Sequence, residues 1–235
     1  MTLWLSRVRI DRAPDLDALR PLLDPGVLHP AAMDPRERGR RTDAHHRLIW
    51  TLFADDPDRR RDFLWRDEGE GRFTLLSARP PVRSRLFDEP EIKPFAPVLL
   101  PGDRLAFALR VNATRDRAGE GPGRRSDVVM HALRAVSAGE RGEVRMQAAR
   151  QAGAEWLAAQ GAKAGFGLED MAANDYSVAA LPGHVGRRKQ QPQYGILDLT
   201  GMLTVTDPAA FLFRLGQGFG RARAFGCGLM LIRRA

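Results

Sequence analysis

One order of strand-like and helix-like segments occurs twice along the 235-residue chain, and this repetition restricts the fold more than any other feature. The first occurrence begins with residues 3–10 (LWLSRVRI), which alternate apolar and polar side chains as a half-buried strand does. A helix and two strands follow, so this half begins a βαββαβ unit. The other predicted elements are a short helix at 16–23, a loop at 25–41, a helix from a cap at Thr42 or Asp43 to about Phe53, strands at 62–66 and 72–77, and a turn at 67–71.

The second occurrence follows a proline-rich junction at 80–101 and contains the complete order β, α, β, β, α, β. Residues 115–125 are glycine-rich and basic, which is typical of an exposed flexible loop. We predict an α+β protein of two tandem ferredoxin-like (RRM-like) domains, at residues 1–95 and 96–235. The predicted elements are a strand at 104–112, helices at 126–136 and 143–160, strands at 177–180 and 196–205, a helix at 207–216 and a strand at 228–232.

The charge of the chain indicates a polyanionic partner. The formal net charge is +8, and lysine occurs only at Lys93, Lys163 and Lys189, so that the basic residues are almost all arginine. Arginine forms bidentate contacts with phosphate and stacks on bases, which favours nucleic acid as the partner. The alternative is that the arginine bias reflects the base composition of the genome.

Several classes of protein are excluded by the same sequence. No apolar run approaches the roughly 18 residues of a membrane-spanning helix, and the first ten residues lack the continuous apolar core of a signal peptide. We therefore expect a cytoplasmic protein without a membrane partner. The single cysteine, Cys227, excludes an intramolecular disulfide and a zinc site built from cysteines.

A glycine-rich loop near the C-terminus is the most specific motif. Residues 218–229 read GFGRARAFGCGL, with glycines at Gly218, Gly220, Gly226 and Gly228 and with Arg221 and Arg223 between them. Clustered glycines let a backbone approach a phosphate and expose consecutive N–H donors. A dinucleotide-binding loop is excluded, because such a loop must open a βαβ unit. The alternative is a tight turn from helix to strand with solvated arginines.

This pattern, Gly-apolar-Gly, five residues and Gly-x-Gly-Leu, resembles the RAMP superfamily of CRISPR proteins. The whole string is most similar to the repeat-processing endoribonuclease of the type I-E Cascade complex. Segments 3–10, 46–66, 102–114 and 155–165 also resemble parts of that family, in the same order, so the resemblance covers nearly the whole chain.

The resemblance implies a metal-independent endoribonuclease that cuts CRISPR precursor RNA at the base of the repeat stem-loop. It implies 2′-hydroxyl attack, a 2′,3′-cyclic phosphate product, no cofactor, and retention of the product with other Cascade subunits. One rival is a catalytically silent RNA-binding subunit of the same superfamily. A second is a metal-dependent phosphodiesterase, for which Asp55, Asp56 and Asp58 are the candidate ligands, although no histidine pairs with them at ligand spacing.

The resemblance also implies that His46 is the catalytic residue. Imidazole titrates near neutral pH and can act as base or acid, and both roles stay open. On the predicted helix, His46 lies in the first turn, where the helix dipole favours a bound phosphate. His45 is the competing histidine, and it is expected to pack partly inward. Close relatives often carry tyrosine where this chain has Asp43, so the second catalytic group is Arg47 or a residue from elsewhere.

Two basic loops are candidates for binding the RNA stem, because double-stranded RNA is recognised through phosphate, 2′-hydroxyl and shape. The resemblance matches Arg187, Arg188 and Lys189 to a hairpin that enters the groove of the stem. Residues 59–61, three consecutive arginines, are interpreted as a solvated run. The candidates in the second loop are Arg115, Arg117, Arg124 and Arg125.

Overall fold

The computed structural model describes residues 2–12, 33–56, 58–116, 125–181 and 192–235, which form two compact units. Each unit combines segments from distant parts of the chain, so the division into domains at residues 95 and 96 stays a prediction. The first unit is drawn from Met1–Pro97, Val178–Gln193 and Arg223–Gly226, and the second from Val98–Ser177, Tyr194–Ala222 and Cys227–Ala235.

The first unit contains a four-stranded antiparallel sheet in the order β2-β3-β1-β4. Helix α1 contributes Leu48 and Ile49 to the apolar core, and the turn after it adds Leu52 and Phe53, so that all four residues predicted as a buried face are buried. The elements are β1 (Leu3–Arg9), α1 (Pro35–Trp50), β2 (Phe63–Gly69), β3 (Arg72–Ser77) and β4 (Glu91–Phe95).

Helix α1 begins seven residues before the predicted cap, so the predicted loop at 25–41 is wrong from Pro35 onward. Asp34 accepts hydrogen bonds from the backbone N–H groups of Arg36 (2.7 Å) and Glu37 (2.9 Å), and Glu37 accepts one from the N–H of Asp34 (3.1 Å). This reciprocal capping box, with Pro35 in the first turn, satisfies donors that the start of a helix otherwise leaves unpaired.

Four further expectations for this half need correction or lie outside the described residues. β2 extends through Gly69, beyond the predicted end at residue 66, and the helix ends at Trp50 rather than Phe53. The proline-rich junction contains β4, an edge strand in which Pro94 is tolerated because one side has no strand neighbour. The predicted short helix at 16–23 lies outside the described residues.

The second unit contains the order β5-α3-β8-β9-α4-β10, with sheet order β10-β5-β9-β8. The two sheets share one strand arrangement, which confirms the prediction of tandem ferredoxin-like folds. The elements are β5 (Arg104–Val111), β6 (Thr114–Asp116), β7 (Arg125–Asp127), α2 (Val128–Ala132), a 3-10 turn (Leu133–Ala135), α3 (Arg141–Ala164), β8 (Phe166–Ala180), β9 (Gln193–Val205), α4 (Pro208–Gln217), a second 3-10 turn (Arg223–Phe225) and β10 (Met230–Arg234).

The largest correction in this unit concerns β8, which has 15 residues where the sequence predicted a strand only at 177–180. It lies at the sheet edge and contains many polar residues, so it lacks the alternation that reveals a half-buried strand. The helix predicted at 126–136 is shorter, because Asp127 caps it by accepting from Val129 and Met130. No helix among the described residues is long and apolar enough to span a membrane.

Candidate active site

His46 lies four residues before the end of α1, not in its first turn. The expected interaction of a phosphate with the positive end of the helix dipole is therefore wrong, because that effect is confined to the first turn. The cause is the earlier helix start at Pro35, which places the N-terminus of the helix about three turns before His46.

Three aromatic rings surround the His46 imidazole. The ring centres of Trp50, Phe63 and Phe225 lie 6.3, 6.5 and 6.3 Å from that of His46. The indole Nε1–H of Trp50 donates a hydrogen bond to Nε2 of His46 over 3.1 Å, and Trp50 packs edge-on against Phe63 at 5.2 Å. This arrangement fixes the imidazole plane and selects the tautomer with hydrogen on Nδ1.

The surroundings keep His46 neutral. Burial lowers the pKa of His46, and the positive charges of Arg61 and Arg47 lower it further, while Asp43 acts in the opposite direction. A neutral imidazole has an unshared electron pair, here on Nε2, and can therefore accept a proton.

His45, in contrast, is buried in the interior of the first unit. Its side chain is 1% exposed and lies 4.9 Å from the ring centre of Phe73, so the expected inward packing is confirmed. His45 Nδ1 is 3.5 Å from Asp67 Oδ2. Burial opposes ionisation of Asp67, but the hydrogen bond and charge of His45, with the charge of Arg41, hold the pKa of Asp67 at about 2.

Arg47 and Asp43 form an ion pair on the surface of α1. Arg47 Nη2 is 3.0 Å from Asp43 Oδ2, and the Arg47 side chain is 80% exposed. Asp43 therefore contacts Arg47 and does not cap the helix, a role that Asp34 has. The catalytic role of Arg47 stays a prediction.

The glycines of the C-terminal loop allow close packing within the protein. Gly218, Gly220, Gly226 and Gly228 all have positive φ angles, between 65° and 96°. A Cβ at Gly220 would lie 2.5 Å from the carbonyl oxygen of Asn112. Such contact with the protein itself supports the turn interpretation, and the roles of these glycines in RNA binding stay predictions.

Backbone donors of this loop are partly used inside the protein. The N–H of Phe219 donates to the carbonyl of Gly228 (2.9 Å), and that of Arg221 donates to Asn112 (3.1 Å). The N–H of Gly228 donates to Arg110 (2.8 Å). These three groups therefore do not form the expected run of free donors for a phosphate.

The 3-10 turn at Arg223–Phe225 is the part of the loop that reaches His46. The indole N–H of Trp65 donates to the carbonyl of Ala224 (3.2 Å), which fastens the turn to β2 and directs Phe225 toward the imidazole. The i, i+4 spacing of His46 and Trp50 on the helix predicts that these two side chains share a flank, and the structure confirms it. Sequence reasoning missed Phe225 and Phe63 as neighbours of His46, because both are distant from it in the sequence.

Arg61 was also missed, and its interpretation as part of a solvated run is wrong. Arg59 and Arg60 are exposed, but Arg61 is half-buried at the entrance to β2. Burial and the charge of Arg223 lower the pKa of Arg61. Arg61 is thus packed inside the same cluster as His46 and Arg223.

Two of the candidate RNA-binding residues in the basic loops, Arg115 and Arg125, lie among the described residues, and their role in RNA binding stays a prediction. Arg115 is exposed on β6, and Arg125 on β7 pairs with Asp116, with Nε 2.6 Å from Oδ1. The other candidates lie outside the described residues, namely Arg117, Arg124, Arg187, Arg188 and Lys189.

The alternative metal site receives no structural support. Asp55 pairs with Arg79 at 2.8 Å, and Asp56 lies 3.6 Å from Arg59. Asp58 donates its backbone N–H to the Asp56 carboxylate, as in a local turn. Within the described ranges, no group of three or more His, Cys, Asp or Glu side chains is placed to hold a metal ion.

Comparison with known proteins gives a consistent picture. The chain matches a family model described as "CRISPR associated protein" over residues 3–234. The CRISPR system Cascade subunit CasE of Escherichia coli (strain K12) is 27% identical over 191 residues, which cover 79% of this chain and 88% of that protein.

Solved structures are also similar. Thermus thermophilus Cse3, bound to an RNA representing a pre-cleavage complex, has a TM-score of 0.64 and 22% identity, covering 99% of this chain and 100% of that chain. The CRISPR-associated protein Cas6e from Escherichia coli str. K-12 has a TM-score of 0.61 and 22% identity, with the same coverage. Because both structures are only 22% identical to this chain, their similarity is evidence for the fold alone.

Proposed function

The chain belongs to the family of CRISPR-associated proteins, and we propose that it is the endoribonuclease that processes repeat RNA in a type I-E Cascade complex. Its relative CasE is named as a Cascade subunit, and a structural neighbour is named as a CRISPR endoribonuclease bound to RNA. The proposed partners are the CRISPR repeat stem-loop and the other Cascade subunits.

The proposed reaction is an internal transesterification without metal. The 2′-oxygen bonds to phosphorus and loses its proton to Nε2 of His46, while the bond from phosphorus to the 5′-oxygen breaks. The products are a 2′,3′-cyclic phosphate and a 5′-hydroxyl, for which solvent water supplies the proton, and the protonated His46 then returns its proton to solvent. Arg47 is the proposed second catalytic group, and RNA competes with Asp43 for its guanidinium.

The observation that carries this proposal is the neutral imidazole of His46 with its electron pair on Nε2. A general base must be unprotonated and must offer an acceptor to the nucleophile. The Trp50 indole occupies that acceptor in the free protein, so the 2′-hydroxyl takes the place of the indole N–H when RNA binds.

The testing experiment is single-turnover cleavage of the cognate repeat RNA. We expect His46→Ala to lose roughly 10²–10⁴-fold in rate while binding the RNA almost as the wild type does, since acid–base catalysis typically contributes that much. RNA with a 2′-deoxy sugar before the scissile phosphate should bind and stay uncut.

Cleavage of that RNA, or full activity of His46→Ala, would contradict the mechanism. A wild-type protein that binds but never cuts is the silent RNA-binding subunit.

A further inference from the structure

Two arginines enter the environment of His46 from segments far apart in the sequence. Arg61 precedes Phe63 by two residues, and Arg223 precedes Phe225 by two residues. The rings of Phe63 and Phe225 both lie beside that of His46, at 6.5 and 6.3 Å between centres. Both arginines therefore belong to segments that pack on the imidazole, and they are close enough for the charge of Arg223 to act on Arg61.

Two carboxylates near His46 and Arg61 are paired with other arginines. Asp62, the neighbour of Arg61 in the sequence, accepts a hydrogen bond from Nε of Arg79 at 2.8 Å. Asp43 is paired with Arg47. Nη1 of Arg61 is buried, and among the residues that the structure describes it finds no hydrogen-bond partner.

This arrangement is unfavourable without a ligand. An arginine side chain stays charged in proteins, and a buried guanidinium nitrogen without an acceptor, as Nη1 of Arg61 is, costs free energy. Burial lowers the pKa of Arg61, and the positive charge of Arg223 repels that of Arg61 and lowers the pKa further. An anion with oxygen acceptors would satisfy Nη1 of Arg61 and offset the repulsion between the two charges.

We propose that Arg61 and Arg223 form the binding site for the scissile phosphodiester beside His46. The inference rests on the proposed function and adds to it the residues that hold the reacting group. The phosphate is a monoanion with two non-bridging oxygens, and a guanidinium presents planar, paired donors that match such oxygens.

The same site assists the reaction. Negative charge on the non-bridging oxygens grows as the 2′-oxygen attacks, so donors from Arg61 and Arg223 stabilise the transition state more than the bound substrate. The bound anion also offsets the charge of Arg61 next to His46, which helps the imidazole to keep the proton it has accepted. The other charged groups that act on His46 are Asp43 and Arg47.

The experiment compares Arg61→Gln, Arg223→Gln and the matched control Arg60→Gln, which removes an exposed charge next to the site. At saturating repeat RNA we expect single-turnover cleavage by Arg61→Gln to fall about 100-fold or more, the effect of losing one transition-state donor. Affinity for the uncut 2′-deoxy RNA should fall only a few-fold. Arg60→Gln should cleave as the wild type does.

A second readout separates phosphate binding from a purely structural effect. Titration of His46 by NMR should give a higher pKa in free Arg61→Gln than in the wild type, because the charge of Arg61 lowers it. Addition of the 2′-deoxy RNA should raise the pKa of His46 in the wild type and change it much less in Arg61→Gln. Arg61→Lys, which keeps the charge but not the fork of donors, should recover part of the cleavage rate.

The outcomes distinguish this inference from the proposed function. If the wild type cleaves, and Arg61→Gln cleaves saturating RNA as fast as Arg60→Gln, the phosphate site is wrong while the endoribonuclease stands. If the wild type never cleaves, the endoribonuclease fails, yet an RNA-dependent rise in the pKa of His46 that needs Arg61 still supports the phosphate site. The absence of that rise would overturn it.

Discussion

The indole N–H of Trp50 donates a hydrogen bond to Nε2 of His46 over 3.1 Å, one turn further along the same helix. Because a protonated Nε2 cannot accept this bond, it favours the neutral imidazole. Burial and the positive charge of Arg61 act in the same direction. The free protein therefore favours the neutral imidazole of His46, and the pKa of His46 lies below the ordinary value for histidine.

The pH dependence of cleavage should report this environment. A base must be unprotonated, so activity falls as the pH drops below the pKa of His46, and the acid limb of kcat/KM gives that pKa for the free enzyme. We expect a midpoint below about 6.5, the ordinary value for histidine.

Trp50→Phe should move this midpoint to higher pH, because it keeps a ring against Phe63 but removes the donor to Nε2. Cleavage rates measured across the acidic and neutral range test both statements. A wild-type midpoint above the ordinary histidine value, or identical midpoints in wild type and Trp50→Phe, would contradict the role given to the indole.

Cleavage should persist in excess EDTA. The proposed reaction uses a side-chain base and guanidinium donors, which need no divalent ion. The measurement is the single-turnover rate before and after chelation, with RNA binding followed in parallel because ions also affect RNA folding. Loss of cleavage with binding intact, restored by a divalent ion, would favour the metal-dependent alternative.

The sequence predicted the parts of this protein that depend on local periodicity. The buried face of α1, with Leu48 and Ile49, follows from helical spacing, and the alternation at 104–112 gives β5. The start of α1 was missed although Asp34, Pro35 and Glu37 form a recognisable capping signal. That signal stands in a stretch whose prolines and arginines resemble a loop.

The site was less predictable because its neighbours are distant in the sequence. Ala224 binds the Trp65 indole across 159 positions, and this contact brings Phe225 to His46. Nothing in the local pattern around Arg61 distinguishes it from the exposed Arg59 and Arg60. The resemblance to a family indicated His46 as the candidate catalytic residue. Only the packing of β2 against the 3-10 turn at Arg223–Phe225 shows that Arg61 lies near it.

Asp67 should stabilise the folded protein in a pH-dependent way. Its pKa is lowered from 3.8 to about 2, so its contribution is present above the unfolded pKa and is lost as the pH falls through the folded one. Asp67→Asn should therefore lower the free energy of unfolding by roughly 2 kcal/mol near neutral pH, with the difference from wild type shrinking between about pH 4 and pH 2. Denaturant unfolding at several pH values measures this. Asp58→Asn, at an exposed position, is the control, and an equal effect of both substitutions would contradict the argument.

Gly226 packs against the Trp65 ring, which holds the turn beside His46. Its φ angle is +71°, and a Cβ there would lie 3.2 Å from the Trp65 ring. Gly226→Ala should therefore combine left-handed strain, about 1–2 kcal/mol, with displacement of the turn that carries Phe225. We expect a lower melting temperature and also slower cleavage at saturating RNA.

Gly102→Ala is the matched control for this variant. Gly102 has a φ of +90°, and an added Cβ would meet nothing within 4 Å. The control should show the conformational strain alone, with a lower melting temperature but a cleavage rate per folded molecule equal to the wild type. Only Gly226→Ala places a methyl group against Trp65, whose indole N–H donates to Ala224. Equal cleavage rates in the two variants would therefore mean that Phe225 and the turn that carries it do not position His46.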